Sequence, residues 1–183
     1  MTTLTSTLRI FDEQTAGLRL ETAEHDAIAR ELENIGVRFE RWEANVPVDA
    51  GADEAAIATA YAAEIERLKR EGGYQSMDVI RLPKGTPNTD PTRRKFLSEH
   101  RHSEDEVRFF VQGAGAFYLH LGGAVYQTIC TRGDLISVPA GTPHWFDMGP
   151  DPEFVAIRLF TNKEGWVADY TGDTIAERFP LFE

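Results

Sequence analysis

The sequence predicts a mostly β protein, a barrel or sandwich with a few α-helices on its periphery. Three observations carry that expectation. From Glu106 onward, short apolar runs are separated by Gln112-Gly113-Ala114-Gly115, Gly122-Gly123, Arg132-Gly133-Asp134 and Pro139-Ala140-Gly141. Turn signals recurring about every 8–12 residues mark consecutive strands of one β structure. Helical periodicity is confined to the chain before them. At 183 residues, 42% hydrophobic and 27% charged, the chain also has the size and composition of one soluble domain. We expect a single domain over 1–183, with N-terminal helices and outer strands in 1–95, the barrel core in 96–162 and a covering segment in 163–183.

In chain order, residues 8–11 (Leu-Arg-Ile-Phe) are a short strand. Thr22 can cap a helix reaching Ile35, with Ile28, Leu32 and Ile35 on one face and Gly36 as its stop. His25, between Glu24 and Asp26, reads as a solvated residue at the start of that helix. Residues 37–42 alternate weakly and carry charged partners, which suits an outer strand. Asp53 can cap a second helix to about Arg70, with Ile57, Tyr61, Ile65 and Leu68 as its apolar stripe and Gly72-Gly73 as its end. Residues 77–82 form a strand, 83–88 a Pro/Gly/Asn loop, and Asp90-Pro91 a helix start with Asp as cap and Pro in the first turn. That short helix carries Phe96 and Leu97 and delivers the chain to His100. Further strands are expected at 135–138, 144–146 and 154–160. Trp166 and residues 175–182 read as a segment covering the outside of the barrel or its mouth.

The net charge of -11, from 30 acidic and 19 basic residues, argues against nucleic acid or an anionic membrane as partner. Cys130 is the one cysteine. It lies in a strand-like run, so it reads as a buried thiol, and a chain without disulfides suits a reducing compartment. The first residues have neither the basic nor the apolar region of a signal peptide, and no run approaches the ~18 apolar residues that span a bilayer. A cytoplasmic monomer is the expectation.

The chemistry concentrates in Glu99-His100-Arg101-His102-Ser103-Glu104-Asp105-Glu106-Val107-Arg108 and in Pro143-His144-Trp145-Phe146. Residues two apart in a strand face the same way, so His100 and His102 can converge on one ion. By the same rule Glu106, Arg108 and Phe110 share a face opposite Val107, Phe109 and Val111. A cation beside an acid on an inward face fits a metal site in which Glu106 ligates and Arg108 pairs with an anion. On the outside they would be an ordinary surface ion pair. His144 and Phe146 share a face of a later strand. Three imidazoles and a carboxylate leave a divalent ion at about +1 with two octahedral positions open. Structural zinc would close at four ligands, often with cysteines. Iron(II), nickel(II), cobalt(II) and manganese(II) all suit the set. His120 has no ligand-like neighbours in sequence and reads as structural or surface.

The patterns His100-x-His102-x3-Glu106-x6-Gly113 and Gly133-x5-Pro139-x-Gly141-x2-His144 resemble the paired motifs of the cupin superfamily. Met148 stands where the second motif often ends in asparagine. More narrowly, Phe96-Leu97, the stretch from Glu99 to Arg108, residues 134–140 (Asp-Leu-Ile-Ser-Val-Pro-Ala) and residues 142–149 (Thr-Pro-His-Trp-Phe-Asp-Met-Gly) resemble the acireductone dioxygenases of methionine salvage. The resemblance implies a cupin double-stranded β-helix (jelly-roll) barrel, with His100, His102, Glu106 and His144 as ligands of one Fe(2+) or Ni(2+) per chain. It implies O2 and a small acireductone, 1,2-dihydroxy-3-keto-5-methylthiopent-1-ene, as the partners. Arg108 would favour the substrate dianion, and Phe96, Phe146 and Trp166 would line the pocket. Glu99 and Asp105 match auxiliary positions. Another metal-dependent cupin enzyme could keep the ligands but has no reason to combine Arg108, Phe96 and Trp166, and a non-catalytic cupin would bind metal without consuming O2.

Overall fold

The computed structural model describes residues 4–43, 51–162, 164 and 167–183. Alternating apolar residues build two antiparallel sheets that share one long strand. The strands, in chain order, are β1 (Thr7–Asp12), β2 (Leu18–Thr22), β3 (Arg38–Arg41), β4 (Ser76–Leu82), β5 (His100–Arg101), β6 (Glu106–Leu121), β7 (Ala124–Thr131), β8 (Asp134–Val138), β9 (His144–Asp147), β10 (Phe154–Phe160) and β11 (Asp169–Tyr170). One sheet runs β11-β5-β9-β6-β7-β1-β2; in the other, β10 links β4 to β6, and β8 links β6 to β3. The first half of β6 pairs with β8 and β10, and its second half with β7 and β9. Among the described residues four α-helices lie outside: α1 (His25–Glu33), α2 (Glu54–Ala60), α3 (Ala62–Gly72) and α4 (Asp90–Leu97).

The period-two pattern of β6 splits the core into layers. Phe110 faces inward with Phe117, Cys130, Ile136, Val138, Phe146 and Met148, and Ile28 and Leu32 of α1 close the same cluster. Val107, Phe109 and Val111 face the other way, onto Ile57, Tyr61, Ile65 and Leu68 of α2 and α3. The C-terminal tail covers the outside of the other sheet, setting Ile175 and Phe179 against Tyr118 and Trp145. It therefore lies on the barrel's flank.

Several local expectations are corrected. Thr22 does not cap α1: it ends β2, a strand absent from the sequence reading, and its hydroxyl accepts from the Glu24 N–H at 3.2 Å. Glu24 precedes the helix without a side-chain cap. Pairing with β1 wins over helix initiation here. Asp53 does cap, accepting from the Ala56 N–H at 2.8 Å, but the helix breaks at Tyr61 (φ -111, ψ 18) into α2 and α3. The apolar stripe runs on across the break. Gly73, at φ 70, is the left-handed residue that ends α3. Asp90 is the first residue of α4 and Thr89 precedes it, again without a side-chain cap. His25 is only partly exposed, stacked on Phe39 at 5.7 Å and lying 3.9 Å from the buried Asp134.

Candidate metal centre

Three strands deliver the candidate ligands. β5 and β9 pair through a single register position, His100 against His144, and β9 lies beside β6 with His144 opposite Leu119. β5 ends at Arg101, so His102 stands just past the strand, where its carbonyl accepts from the Gly141 N–H at 2.9 Å. Its imidazole still converges with the others: the ligand nitrogens of His100, His102 and His144 lie within 4.8 Å of one another. Glu106 reaches two of them, its Oε2 lying 3.2 Å from His102 Nε2 and 2.9 Å from His144 Nε2. All four residues are buried.

The outer contacts fix which nitrogen of each ring faces the centre. His100 Nδ1 is 2.7 Å from the Ser98 carbonyl, His144 Nδ1 is 2.8 Å from the Thr142 carbonyl and His102 Nδ1 is 3.3 Å from the Val167 carbonyl. A carbonyl only accepts, so each Nδ1 carries a proton, and a ring in its neutral form turns an Nε2 lone pair toward the others. For His102 and His144 that lone pair meets a carboxylate oxygen. Acceptor facing acceptor in a buried site calls for a cation between them, and this donor set fits a divalent transition metal.

The charges around the cluster agree. Burial works against the Glu106 carboxylate, but the Arg108 guanidinium, and the His102 or His144 imidazole when it also carries a proton on Nε2, hold it well below the usual range. Burial, then the neighbouring His144, lowers His100 to about 4, which favours a neutral imidazole. Burial also opposes charge on His144, yet the Glu106 carboxylate beside it raises its value. Arg108 Nη2 donates to Glu106 Oε1 at 2.8 Å. Burial pulls Arg108 below its ordinary value while Glu106 opposes. Its guanidinium sits 4.6 Å from the Phe146 ring centre and 5.1 Å from that of Phe117, and its Nε is a buried donor without an acceptor among the described residues.

Phe96 meets Phe146 edge-on at 6.2 Å, so the inward wall beside Arg108 is aromatic. Gly115 makes room for it, since a Cβ there would lie 2.4 Å from the Phe146 ring. Trp166, expected in the same wall, lies outside the described residues. Glu99 and Asp105 are beside the cluster. Asp105 accepts from the Ala140 N–H at 2.9 Å and the Tyr74 hydroxyl at 3.2 Å. Glu99 accepts from His120 Nδ1 at 2.6 Å and Thr171 Oγ1 at 2.7 Å. The sequence reading missed this role of His120, and also the Asp78–Arg158 ion pair at 2.5 Å, with Arg158 in register with Arg108. No local pattern marks either, because strand register sets both.

Comparison with known proteins gives a consistent answer. Residues 7–168 match the model of the ARD/ARD' family. The chain is 56% identical to an acireductone dioxygenase of Pseudomonas paraeruginosa over 179 residues, covering 97% of this chain and 99% of that one. It is 55% identical to that of Parvibaculum lavamentivorans over 172 residues, covering 94% of each. Its fold is similar to that of a Bacillus anthracis acireductone dioxygenase with a cadmium ion in its active centre, at a TM-score of 0.79 and 32% identity, covering 92% of this chain and 100% of that one. The barrel is a cupin.

Proposed function

Because the chain belongs to the ARD/ARD' family of acireductone dioxygenases, we propose that it cleaves 1,2-dihydroxy-3-keto-5-methylthiopent-1-ene with O2 in methionine salvage. The proposal assigns His100, His102, Glu106 and His144 as ligands of one iron(II) or nickel(II) ion. The observation that carries it is the set of three imidazoles whose Nδ1 atoms are tied to carbonyls, leaving their lone pairs facing inward beside Glu106 and Arg108. The cadmium in the Bacillus anthracis relative supports the same reading.

When bound, a divalent ion supplies Lewis acidity and a template for two chelating oxygens. The protein's own residues do the rest. Arg108 places positive charge in a low-dielectric interior, which lowers the cost of removing the second enediol proton. Its Nε–H, which meets no acceptor among the described residues, can donate to the resulting oxyanion. Phe117 and Phe146 hold the guanidinium in place. Phe96 and Phe146 flank the thioether tail and exclude water. The dianion is electron-rich enough to pass an electron to O2. With iron the expected products are 2-keto-4-methylthiobutanoate and formate; with nickel they are 3-methylthiopropanoate, formate and carbon monoxide. Both O2 atoms end in products, so neither route needs an external reductant.

The test is a single-turnover assay on metal-free protein reloaded anaerobically with iron(II) or nickel(II), using fresh acireductone and O2. The keto acid with iron and carbon monoxide with nickel are the expected results. Oxygen uptake no faster than the spontaneous reaction, at full metal loading, overturns the proposal.

A further inference from the structure

We propose that His120 is a positioning residue that sets the spacing between His100 and His144 and thereby the affinity of the site for its metal ion, an inference that rests on the metal-centre reading above. The ligand strand β5 is only two residues long and meets β9 at one register position. Its other edge pairs with β11, which is also two residues long and sets Tyr170 opposite His100. Ladders this short leave part of the placement of His100 to side-chain contacts, and Glu99, the residue before it, makes two. Its side chain is buried at 3% exposure, so its carboxylate needs protein donors. It has two among the described residues: His120 Nδ1 at 2.6 Å and Thr171 Oγ1 at 2.7 Å. Thr171 also donates its N–H to the Glu99 carbonyl at 3.1 Å.

His120 grips the second ligand strand as well. Its backbone N–H donates to the Pro143 carbonyl at 2.9 Å. The residues immediately before His100 and His144 are therefore both fastened to one residue of β6, Glu99 through the ring and Pro143 through the backbone. Glu13 Oε1, 3.2 Å from His120 Nε2, braces the far side of the ring. A short ring-to-carboxylate bond is among the stronger hydrogen bonds a protein makes. Losing it leaves Glu99 with one side-chain donor, and β5 must move for the carboxylate to find another. Outer contacts that orient ligands in this way commonly change metal affinity by about 10–100-fold.

The test uses full-length apoprotein titrated with cobalt(II) against a chromophoric chelator, with the cobalt(II) visible spectrum and the apoprotein melting temperature recorded in parallel. His120→Leu should weaken cobalt binding by about tenfold or more and alter the spectrum. His120→Asn, which can place an N–H near the position of Nδ1, should recover most of both. Thr171→Val, at an exposed position, should weaken binding in the same direction without touching the core, and it carries the test if His120→Leu does not fold. Wild-type affinity and spectrum in both His120→Leu and Thr171→Val overturn the proposal. So does an equal loss in His120→Leu and His120→Asn that follows the melting temperature, because that would reflect stability alone. A wild-type protein that takes up no cobalt overturns the metal-centre reading and this proposal with it.

Discussion

Arg108 and His102 flank Glu106 in sequence, and the geometry gives them separable tasks. His102 Nε2 faces the carboxylate from the cluster side, whereas Arg108 holds the opposite oxygen, Oε1. His102→Ala should therefore lose metal and activity together, read by metal analysis of the purified protein; a fully metallated, active variant would remove His102 from the site. Arg108→Ala should keep its metal and slow turnover by about a hundredfold, the usual effect of deleting one electrostatic stabiliser, with weaker anionic absorbance of bound substrate. Away from the site, burial opposes ionisation of Glu40, but Arg67, Trp42 and Arg38 bond to it and lower it to about 2. A folded value below the unfolded one means the stabilisation is complete above about pH 4.5 and is lost as pH falls toward 2. With a side chain 26% exposed, the contribution is about 1 kcal/mol after screening. Glu40→Gln should lower urea stability by that amount at neutral pH and flatten its decline in acid. Parallel pH slopes for variant and wild type would exclude Glu40 from the acid response.

At the scale of elements, β6 organises the molecule because it bends from one sheet into the other. The bend falls at Gly113, the last β6 residue paired with β10, while Ala114 is the first paired with β7. Gly113 has φ 73, and a Cβ there would lie 1.8 Å from the Glu153 carbonyl oxygen. Left-handed backbone alone costs a non-glycine residue about 1–2 kcal/mol, and the clash with backbone adds to it. Gly122 is a built-in control: its φ is 58, but nothing lies within 4 Å of an added Cβ. Gly122→Ala should cost about 1 kcal/mol and Gly113→Ala well over twice that in denaturant midpoints. Equal costs would mean that the corner relaxes freely.

For the whole molecule, three packed layers hold the barrel: helices α2 and α3 on one sheet, the inward cluster between the sheets, and the tail on the other. The candidate centre joins separate strands, since its residues come from β5, β6, β9 and the loop after β5. A ligand held only by the folded chain stabilises it: at a hundred times Kd the gain is about 2.7 kcal/mol. For a chain of this length that is about 5–10 °C in Tm. Stripping metal with a chelator should lower Tm by that amount and reloading should restore it. An unchanged Tm would mean that folding and metal binding are not linked.

What could be read before folding is what local chemistry repeats. The alternation around Glu106 and Arg108 marked one inward polar face, the histidine spacing marked side chains that the fold brings together, and glycine-rich turns marked the strands from β6 to β10. Those signals act over a few residues, so sequence carries them directly. Thr22 shows where this fails: its hydroxyl suits a helix cap, but pairing of β2 with β1 claims it for a strand. His120 shows the larger gap. Nothing near it in sequence points to Glu99, 21 positions away, and the bond between them exists because β6 pairs with β9 and β9 with β5. The residue types determined by themselves what this chain can hold; only the tertiary register decided how far apart it holds them, because a strand shifted by one position turns every side chain to the opposite face.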